Sequence, residues 1–164
     1  MNQTIGKSDA EIVQEVLTGN TQAFRLLVDR YKDMVAGIVM NMIHNEDLAN
    51  DVGQEVFVRL FRSLKKFRGD SKLGTYIGRI AINLSLNELK RQQKKNERFD
   101  AGYEKVLSRE GSNAVVREME MKEATQLALA ALNADQRSVV VLRYIEGLST
   151  KETSELLQLP QGTI

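Results

Sequence analysis

The chain has 164 residues, of which 42% are hydrophobic and 5% aromatic, and its formal net charge is +1. It contains no cysteine, which excludes disulfides and thiolate metal sites, and no apolar run reaches the ~20 residues that cross a bilayer. We therefore expect a cytoplasmic protein of one domain or two small ones, and the single proline beside many Leu, Ala, Glu and Lys residues favours an all-α fold.

Four helices are predicted in the first 98 residues. Ser8 and Glu11 are spaced as a capping box for the first helix, which should stop near Gly19. The second helix, over 21–44, and the third, over 46–65, carry apolar residues at helical spacing. The FRGDS segment at 67–71 is typical of a short turn, and it precedes a fourth helix over 72–98.

The fourth helix is predicted to have two different faces. Leu73, Ile77, Ile80 and Leu84 share an apolar stripe. The opposite stripe is polar and consists of Arg79, Asn83, Asn87, Arg91 and Lys94. Such a helix packs one face on a bundle and offers the other to an anionic partner.

The C-terminal part predicts a second helical unit. Residues 99–113 lose the periodicity and suggest a flexible linker, and a helix over 114–132 follows. Asn133 can cap a helix over 134–146, and Ser149 with Glu152 forms a capping box for a helix to residue 157. Pro160 is placed to open one more helix. Two helices with a tight turn are typical of a helix-turn-helix, although any short helical hairpin gives the same spacing.

Charge is distributed unevenly along the chain. Residues 58–98 hold twelve basic side chains against three acidic ones, and an acidic cluster of Glu46, Asp47, Asp51 and Glu55 lies just upstream. Two partners of opposite polarity would explain the contrast, one of them a nucleic acid. A solvated helix surface is the alternative on charge alone.

Several motifs occur together, in a fixed order. They are DVGQEVF at 51–57, FRGDS at 67–71, TYIGRIAIN at 75–83 with a basic tail, and LRYIEGLSTKETSELL at 142–157 followed by a Gly-Thr pair. In order and spacing the chain resembles the extracytoplasmic-function (ECF) sigma factors of bacterial RNA polymerase. The resemblance implies region 2 over 8–98 and region 4 over 114–164, the latter with a helix-turn-helix, separated by the linker.

The resemblance also implies roles for individual residues. The helix with Asp51, Gln54 and Glu55 would bind the largest subunit of core polymerase, since carboxylates and amides pair with arginines. The surface for the opened minus-ten strand would comprise Phe67, Arg68, Gly69, Asp70, Ser71, Tyr76, Arg79, Asn83, Asn87, Lys90, Arg91 and Lys94. Tyr76 stands where the family usually has tryptophan, and core packing would explain it equally well.

Region 4 would contact the polymerase flap, and an anti-sigma protein would hold the factor inactive. Region 4 has only residues 160–164 of its second helix, so we expect this chain, as given, to miss the reader of the minus-thirty-five element. No catalytic constellation, cofactor motif or metal-ligand spacing is visible, and the single histidine, His44, is expected at the surface or as a cap. The function implied is promoter recognition and strand opening by a non-enzyme. The alternatives are a dimeric helix-turn-helix regulator that needs no polymerase, and a truncated sigma factor that acts only as an interaction protein.

Overall fold

A computed structural model describes residues 6–69, 71–98 and 114–164. Within these ranges the secondary structure consists of helices and helical turns without a strand, which confirms the all-α prediction. The predicted linker at 99–113 and the predicted DNA contact Asp70 lie outside the described residues. None of the helices in the described ranges is long and apolar enough to cross a membrane.

The N-terminal part is a bundle of four helices: α1 (Asp9–Leu17), α2 (Phe24–Met42), α3 (Glu46–Ser63) and α4 (Leu73–Arg98). The predicted capping box at α1 is present, since Ser8 Oγ accepts from the Glu11 backbone N–H and the Glu11 carboxylate accepts from the Ser8 N–H. The Ser8 hydroxyl and the Ser8 N–H both donate to the Glu11 carboxylate, and these two bonds hold the pKa of that carboxyl below its ordinary value. Asn45 Oδ1 caps α3 by accepting from the Leu48 N–H at 3.0 Å.

Helices α2, α3 and α4 enclose the core of this bundle. Leu27, Ile38, Leu60 and Ile77 are fully buried. The apolar stripe predicted for α4 is partly wrong. Its members Ile80 and Leu84 are only half-buried, whereas Ala81, Ile82 and Ser85 are buried instead. The reason is that α4 packs against both α2 and α3, so its buried face is wider than one stripe and rotated from it.

The C-terminal part comprises α5 (Ala114–Ala131), α6 (Ala134–Val140) and α7 (Thr150–Leu157). The predicted capping box at Ser149 and the predicted cap at Asn133 are present, and at Asn133 the Gln136 side chain completes a capping box that was not predicted. The single helix predicted over 134–146 is wrong beyond Val140, because Val141–Ile145 forms a π turn. The Glu146 N–H donates to the Val141 carbonyl at 2.9 Å, five residues back.

Turns complete the C-terminal part. Gly147 ends the π turn with a φ of 67°, a left-handed conformation that glycine adopts without a steric penalty. Gln158 ends α7 in the same conformation, and Gln161–Thr163 forms a single 3₁₀ turn where a further helix was predicted to open. Helix α7 followed by this turn has the form of the first half of a helix-turn-helix.

A buried arginine joins the two parts of the chain. The Arg137 side chain is 7% exposed, and burial lowers the pKa of its guanidinium. It donates to the carbonyl of Met42 at the end of α2 (2.8 Å) and to those of Leu129 (2.7 Å), Ala130 (3.1 Å) and Leu132 (3.1 Å). His44 adds a second link, with its Nδ1 2.6 Å from Gln126 Oε1 of α5. The C-terminal helices are therefore packed directly on the bundle.

Candidate nucleic-acid interface

The loop at 67–71 is held against the first turns of α4. The Phe67 N–H closes a 3₁₀ turn by donating to the Leu64 carbonyl at 3.1 Å, and the Phe67 ring packs on Tyr76 with 5.2 Å between ring centroids. Gly69 has a φ of 78°, so the loop turns sharply at a residue without a side chain. The Arg68 side chain is exposed and Ser71 is half-buried. A bare backbone beside exposed hydrogen-bonding groups can approach the edge of a base.

Tyr76 contributes to the packing of the bundle, while its predicted contact with a base stays a prediction. Its ring is half-buried and rests on Phe67 at a tilt of 48°, so part of its surface belongs to the packing of the bundle. The remainder of the side chain is accessible. A base stacking there would be worth ~1–3 kcal/mol.

The polar stripe of α4 continues this surface away from the loop. Four of its side chains are exposed, namely Asn83, Asn87, Arg91 and Lys94, and the neighbouring Lys90 is exposed as well. Arg91 is paired with Glu88, with Nε 2.8 Å from Oε2, and this hydrogen bond raises the pKa of the guanidinium. Exposed lysines and amides at helical spacing suit contacts with successive phosphates.

Arg79 differs from the rest of the stripe because it is half-buried under the C-terminal part. Its Nη2 donates to the carbonyl of Glu155 in α7 at 2.6 Å, while its Nε is buried without a hydrogen-bond partner. The predicted DNA contact of Arg79 stays a prediction. The contact with α7 could not be anticipated from spacing within one helix.

A cavity of about 530 Å³ separates the loop from α7. Its lining is mainly apolar, and the residues contributed by the two parts include Phe67, Ser71, Thr75, Gly78, Glu152 and Leu156. Among the described residues, no three potential metal ligands come together, here or elsewhere. The surface offers stacking and hydrogen-bonding groups, which suits a nucleobase.

A second candidate surface lies on α3. Asp51 and Gln54 are exposed, and the half-buried Glu55 accepts from Arg59 Nε at 3.1 Å. One turn further along the same face, Val58 is 40% exposed and Phe61 is 42% exposed. The sequence reasoning missed these two apolar residues as surface groups, although their spacing from Asp51 and Gln54 would have placed them on that face.

Comparison with known proteins identifies the family. The Sigma-70 region 2 family matches residues 27–95, and the Sigma-70 region 4 family matches residues 122–164. The RNA polymerase sigma-H factor of Pseudomonas aeruginosa is 32% identical, and the alignment covers 96% of this chain and 86% of that protein. The ECF RNA polymerase sigma-E factor of Escherichia coli is also 32% identical, with the same coverage of both chains.

The chain belongs to the ECF sigma factors. It is therefore a DNA-binding factor of transcription initiation, from a family of initiation subunits that are not enzymes. A helix-turn-helix regulator that needs no polymerase is not favoured, because region 2 is matched as well as region 4.

Solved structures agree with this assignment. CnrH, in complex with the cytosolic domain of CnrY, has the same fold, with a TM-score of 0.70 and 24% identity over 96% of this chain and 87% of that one. RpoE of Bartonella quintana, in complex with the anti-sigma factor NepR, gives a TM-score of 0.67 and 17% identity over 85% of this chain and 86% of that one. An engineered region 2 of sigmaE, solved with GTAAAA, is 34% identical with a TM-score of 0.52, and covers 59% of this sigma factor and 99% of its own chain.

Proposed function

We propose that this sigma factor binds core RNA polymerase through α3 and traps bases of the opened minus-ten strand on the loop at 67–71 and the start of α4. The observation that carries the proposal is the loop itself. Gly69 exposes the backbone there, with Arg68 and Ser71 on either side and the Phe67–Tyr76 ring pair beneath. Extracting a base from the stack costs a few kcal/mol, and stacking with hydrogen bonds in such a pocket can offset that cost.

The contacts divide between two tasks along α4. Phe67, Tyr76 and the loop would hold flipped bases, and Asn83 can pair with the edge of an adenine. Asn87, Lys90, Arg91 and Lys94 lie further along the helix, where exposed charges would bind phosphates without reading sequence. The solved complex of a sigmaE region 2 with GTAAAA supports this use of the region 2 surface.

The proposed polymerase contact lies on an acidic surface, in contrast to the basic surface proposed for DNA. Asp51, Gln54 and Glu55 present acidic and amide groups on α3, which suit a basic helical surface of the largest subunit. Val58 and Phe61 extend this face with apolar area that a partner would bury. Region 4 would bind the polymerase flap, and an anti-sigma protein would oppose both contacts, as the complex of RpoE with NepR suggests by analogy. The factor would act in the cytoplasm as a non-catalytic subunit.

Run-off transcription with core polymerase and genomic promoter fragments tests the proposal. The wild-type chain should give promoter-dependent transcripts, and Asn83→Ala should lower promoter opening while association with core is unchanged. Gln93→Ala is the matched control, because Gln93 is an exposed polar side chain of α4 outside the proposed surface. Equal transcript levels from Asn83→Ala and Gln93→Ala would remove Asn83 from the DNA surface. Core binding without any transcription would favour an interaction-only role.

A further inference from the structure

Helix α1 reaches the loop at 67–71 with its first residue. The apolar residues Ile12 and Val16 of this helix are buried in the bundle, whereas Asp9 lines the same cavity as the loop. The Sigma-70 region 2 match begins only at residue 27, so α1 lies outside the part of the chain that it covers. The contacts of Asp9 indicate what this helix adds to region 2.

Asp9 is held by two side chains of α2. Arg30 Nη1 donates to Asp9 Oδ1, and Arg30 Nη2 donates to the Lys7 carbonyl at 2.8 Å. The Tyr31 hydroxyl donates to Asp9 Oδ2 at 2.5 Å. Each oxygen of the carboxylate therefore accepts a hydrogen bond from a partner of its own, which fixes the orientation of the carboxylate.

The Tyr31 hydroxyl is a donor at neutral pH. Burial, together with the bond to Asp9, raises the pKa of Tyr31 above its ordinary value. The charge of Arg30 and the backbone N–H of Gly74 lower that pKa and do not cancel the rise. Because the pKa is raised, the hydroxyl keeps its proton and remains bonded to the carboxylate.

Tyr31 connects Asp9 to the start of α4. A Cβ atom added at Gly74 would lie 3.2 Å from Tyr31 Cε1 and 3.8 Å from the Tyr31 hydroxyl oxygen, so the side chain lies directly against the first turn of α4. The first N–H groups of a helix have no partner within it and carry partial positive charge. The first turn of α4 contains no acidic side chain. Asp9 supplies a negative charge there from another helix, through the Tyr31 hydroxyl.

The first turn of α4 in turn holds the loop at 67–71. The Tyr76 N–H donates to the Lys72 carbonyl at 3.2 Å, which closes this turn around Gly74. The Tyr76 ring packs on Phe67, with 5.2 Å between ring centroids. A shift of the first turn would therefore move the Tyr76 ring and the end of the loop that rests on it.

We propose that Asp9 and Tyr31 are positioning residues for base trapping, because they fix the first turn of α4, and with it the loop, in the geometry that receives a flipped base. The inference rests on the proposed function of the loop and of α4. The polar stripe of α4 is anchored separately, since Ala81 and Ile82 are buried in the bundle core. Loss of the bond between Tyr31 and Asp9 should therefore weaken base trapping and leave phosphate binding unchanged.

Binding of single-stranded oligonucleotides to the full chain separates these two contributions. One probe contains GTAAAA, the sequence in the solved complex of a sigmaE region 2, and the second has abasic sites in place of those bases and the same phosphates. The ratio of the two affinities measures what the bases contribute. Tyr31→Phe keeps the ring against Gly74 and removes the bond to Asp9. It should lower this ratio by about two- to fivefold, because loss of one hydrogen bond reduces the fraction of competent protein.

A double-mutant cycle tests whether Asp9 acts through Tyr31. Asp9→Ala removes the acceptor and should lower the ratio as Tyr31→Phe does. The double variant should lower it no further, because both single changes remove the same bond. Two residues that merely stabilise the bundle independently would give a double variant whose loss is the product of the single losses.

Two control variants should keep the wild-type ratio. Tyr144→Phe removes the hydroxyl of a tyrosine that is 80% exposed in the C-terminal part. Glu15→Ala removes the ion pair of α1 with Lys7, so it loosens the same helix without changing Tyr31. Circular dichroism at the temperature of the binding assay checks that every variant is folded.

Three outcomes overturn the inference, and they are distinguishable. If the wild type binds the two strands equally, the loop does not trap bases, and the proposed function falls together with the inference. If the wild type prefers the strand with bases and both Tyr31→Phe and Asp9→Ala keep the full ratio, the proposed function survives and the positioning role is wrong. If Glu15→Ala lowers the ratio as much as Tyr31→Phe, or if the single losses multiply in the double variant, the effect is a general loosening of the bundle.

Discussion

Replacing Arg137 by methionine tests whether one buried side chain holds the two parts of this sigma factor together. The guanidinium donates to four backbone carbonyls, one at the end of α2 and three around the end of α5. These are positions where helices leave carbonyls without an intrahelical partner, and where a cation is favoured by the helix dipole. Methionine keeps much of the apolar volume and removes every donor.

The expected magnitude follows from two opposing effects. Hydrogen bonds from a charged donor contribute about 1.5–3 kcal/mol each, and they are not additive for one side chain. Burial of the guanidinium, which lowers its pKa, costs several kcal/mol that the variant regains. The carbonyls of Met42, Ala130 and Leu132 then lose this donor, and the Leu129 carbonyl keeps only its bond from the Leu132 N–H. We therefore expect a net loss of about 3 kcal/mol in the free energy of unfolding.

Urea denaturation followed by circular dichroism measures this loss. With a slope of about 2 kcal/mol/M, the midpoint should fall by about 1.5 M. Arg143→Met is the matched control, because Arg143 makes one such bond, from Nη1 to the Leu148 carbonyl at 2.6 Å. That variant should lose about 1 kcal/mol. If Arg137→Met loses no more than Arg143→Met, the four carbonyl bonds do not stabilise the junction and the reasoning is wrong.

Three further changes address the polymerase contact, pH dependence and capping. Asp51→Arg should weaken co-purification with core polymerase because it reverses the charge of the proposed contact. Asp33→Arg reverses the charge of an exposed residue on α2 and should not weaken it. Equal recovery of core polymerase with the two variants would count against the α3 surface. Burial raises the pKa of the Glu146 carboxyl, so the native state retains a proton that the unfolded chain releases, and the free energy of unfolding should fall as the pH rises above 4.5. In Glu146→Gln the urea midpoint should fall less between pH 4.5 and pH 7 than it does in the wild type. An equal fall in both proteins would exclude Glu146 as its source. Ser149→Ala should cost about 1 kcal/mol and lower Tm by about 2–4 °C, because the capping bonds of α7 are lost; an unchanged Tm would contradict this.

Local features of the fold could be predicted from the sequence because their causes are local. The capping boxes at Ser8 and Ser149 and the cap at Asn133 depend on residues three positions apart, and all three are present. Helix bounds agreed within a few residues for the same reason. The π turn after Val140 could not be predicted, because its extra residue leaves the apolar spacing of α6 almost unchanged.

Features that depend on contacts between distant segments were missed. The sequence analysis did not single out Arg137, whose burial arises only when the end of α2 meets the end of α5. The buried face of α4 is wider than the predicted stripe because α2, α3 and α7 all pack on it, and Ile80 and Leu84 contact the core only from its edge. The roles of the proposed DNA residues stay predictions, although Asn83, Asn87 and Lys94 are exposed as a binding role requires. The contact between Arg79 and α7 joins residues 76 positions apart, which no periodicity encodes.

The π turn at Val141–Ile145 sets how the following helix α7 is rotated relative to α6. A π turn accommodates one residue more than an α turn, and each residue of an α-helix advances the chain by about 100°. If that single residue were deleted and the turn became regular α-helix, everything after it would swing by about that angle, and Leu156 would no longer point at Gly78. One residue far from both proposed binding surfaces therefore sets which side of α7 meets the bundle. Relatives that differ in length at this turn should differ in how their two regions dock.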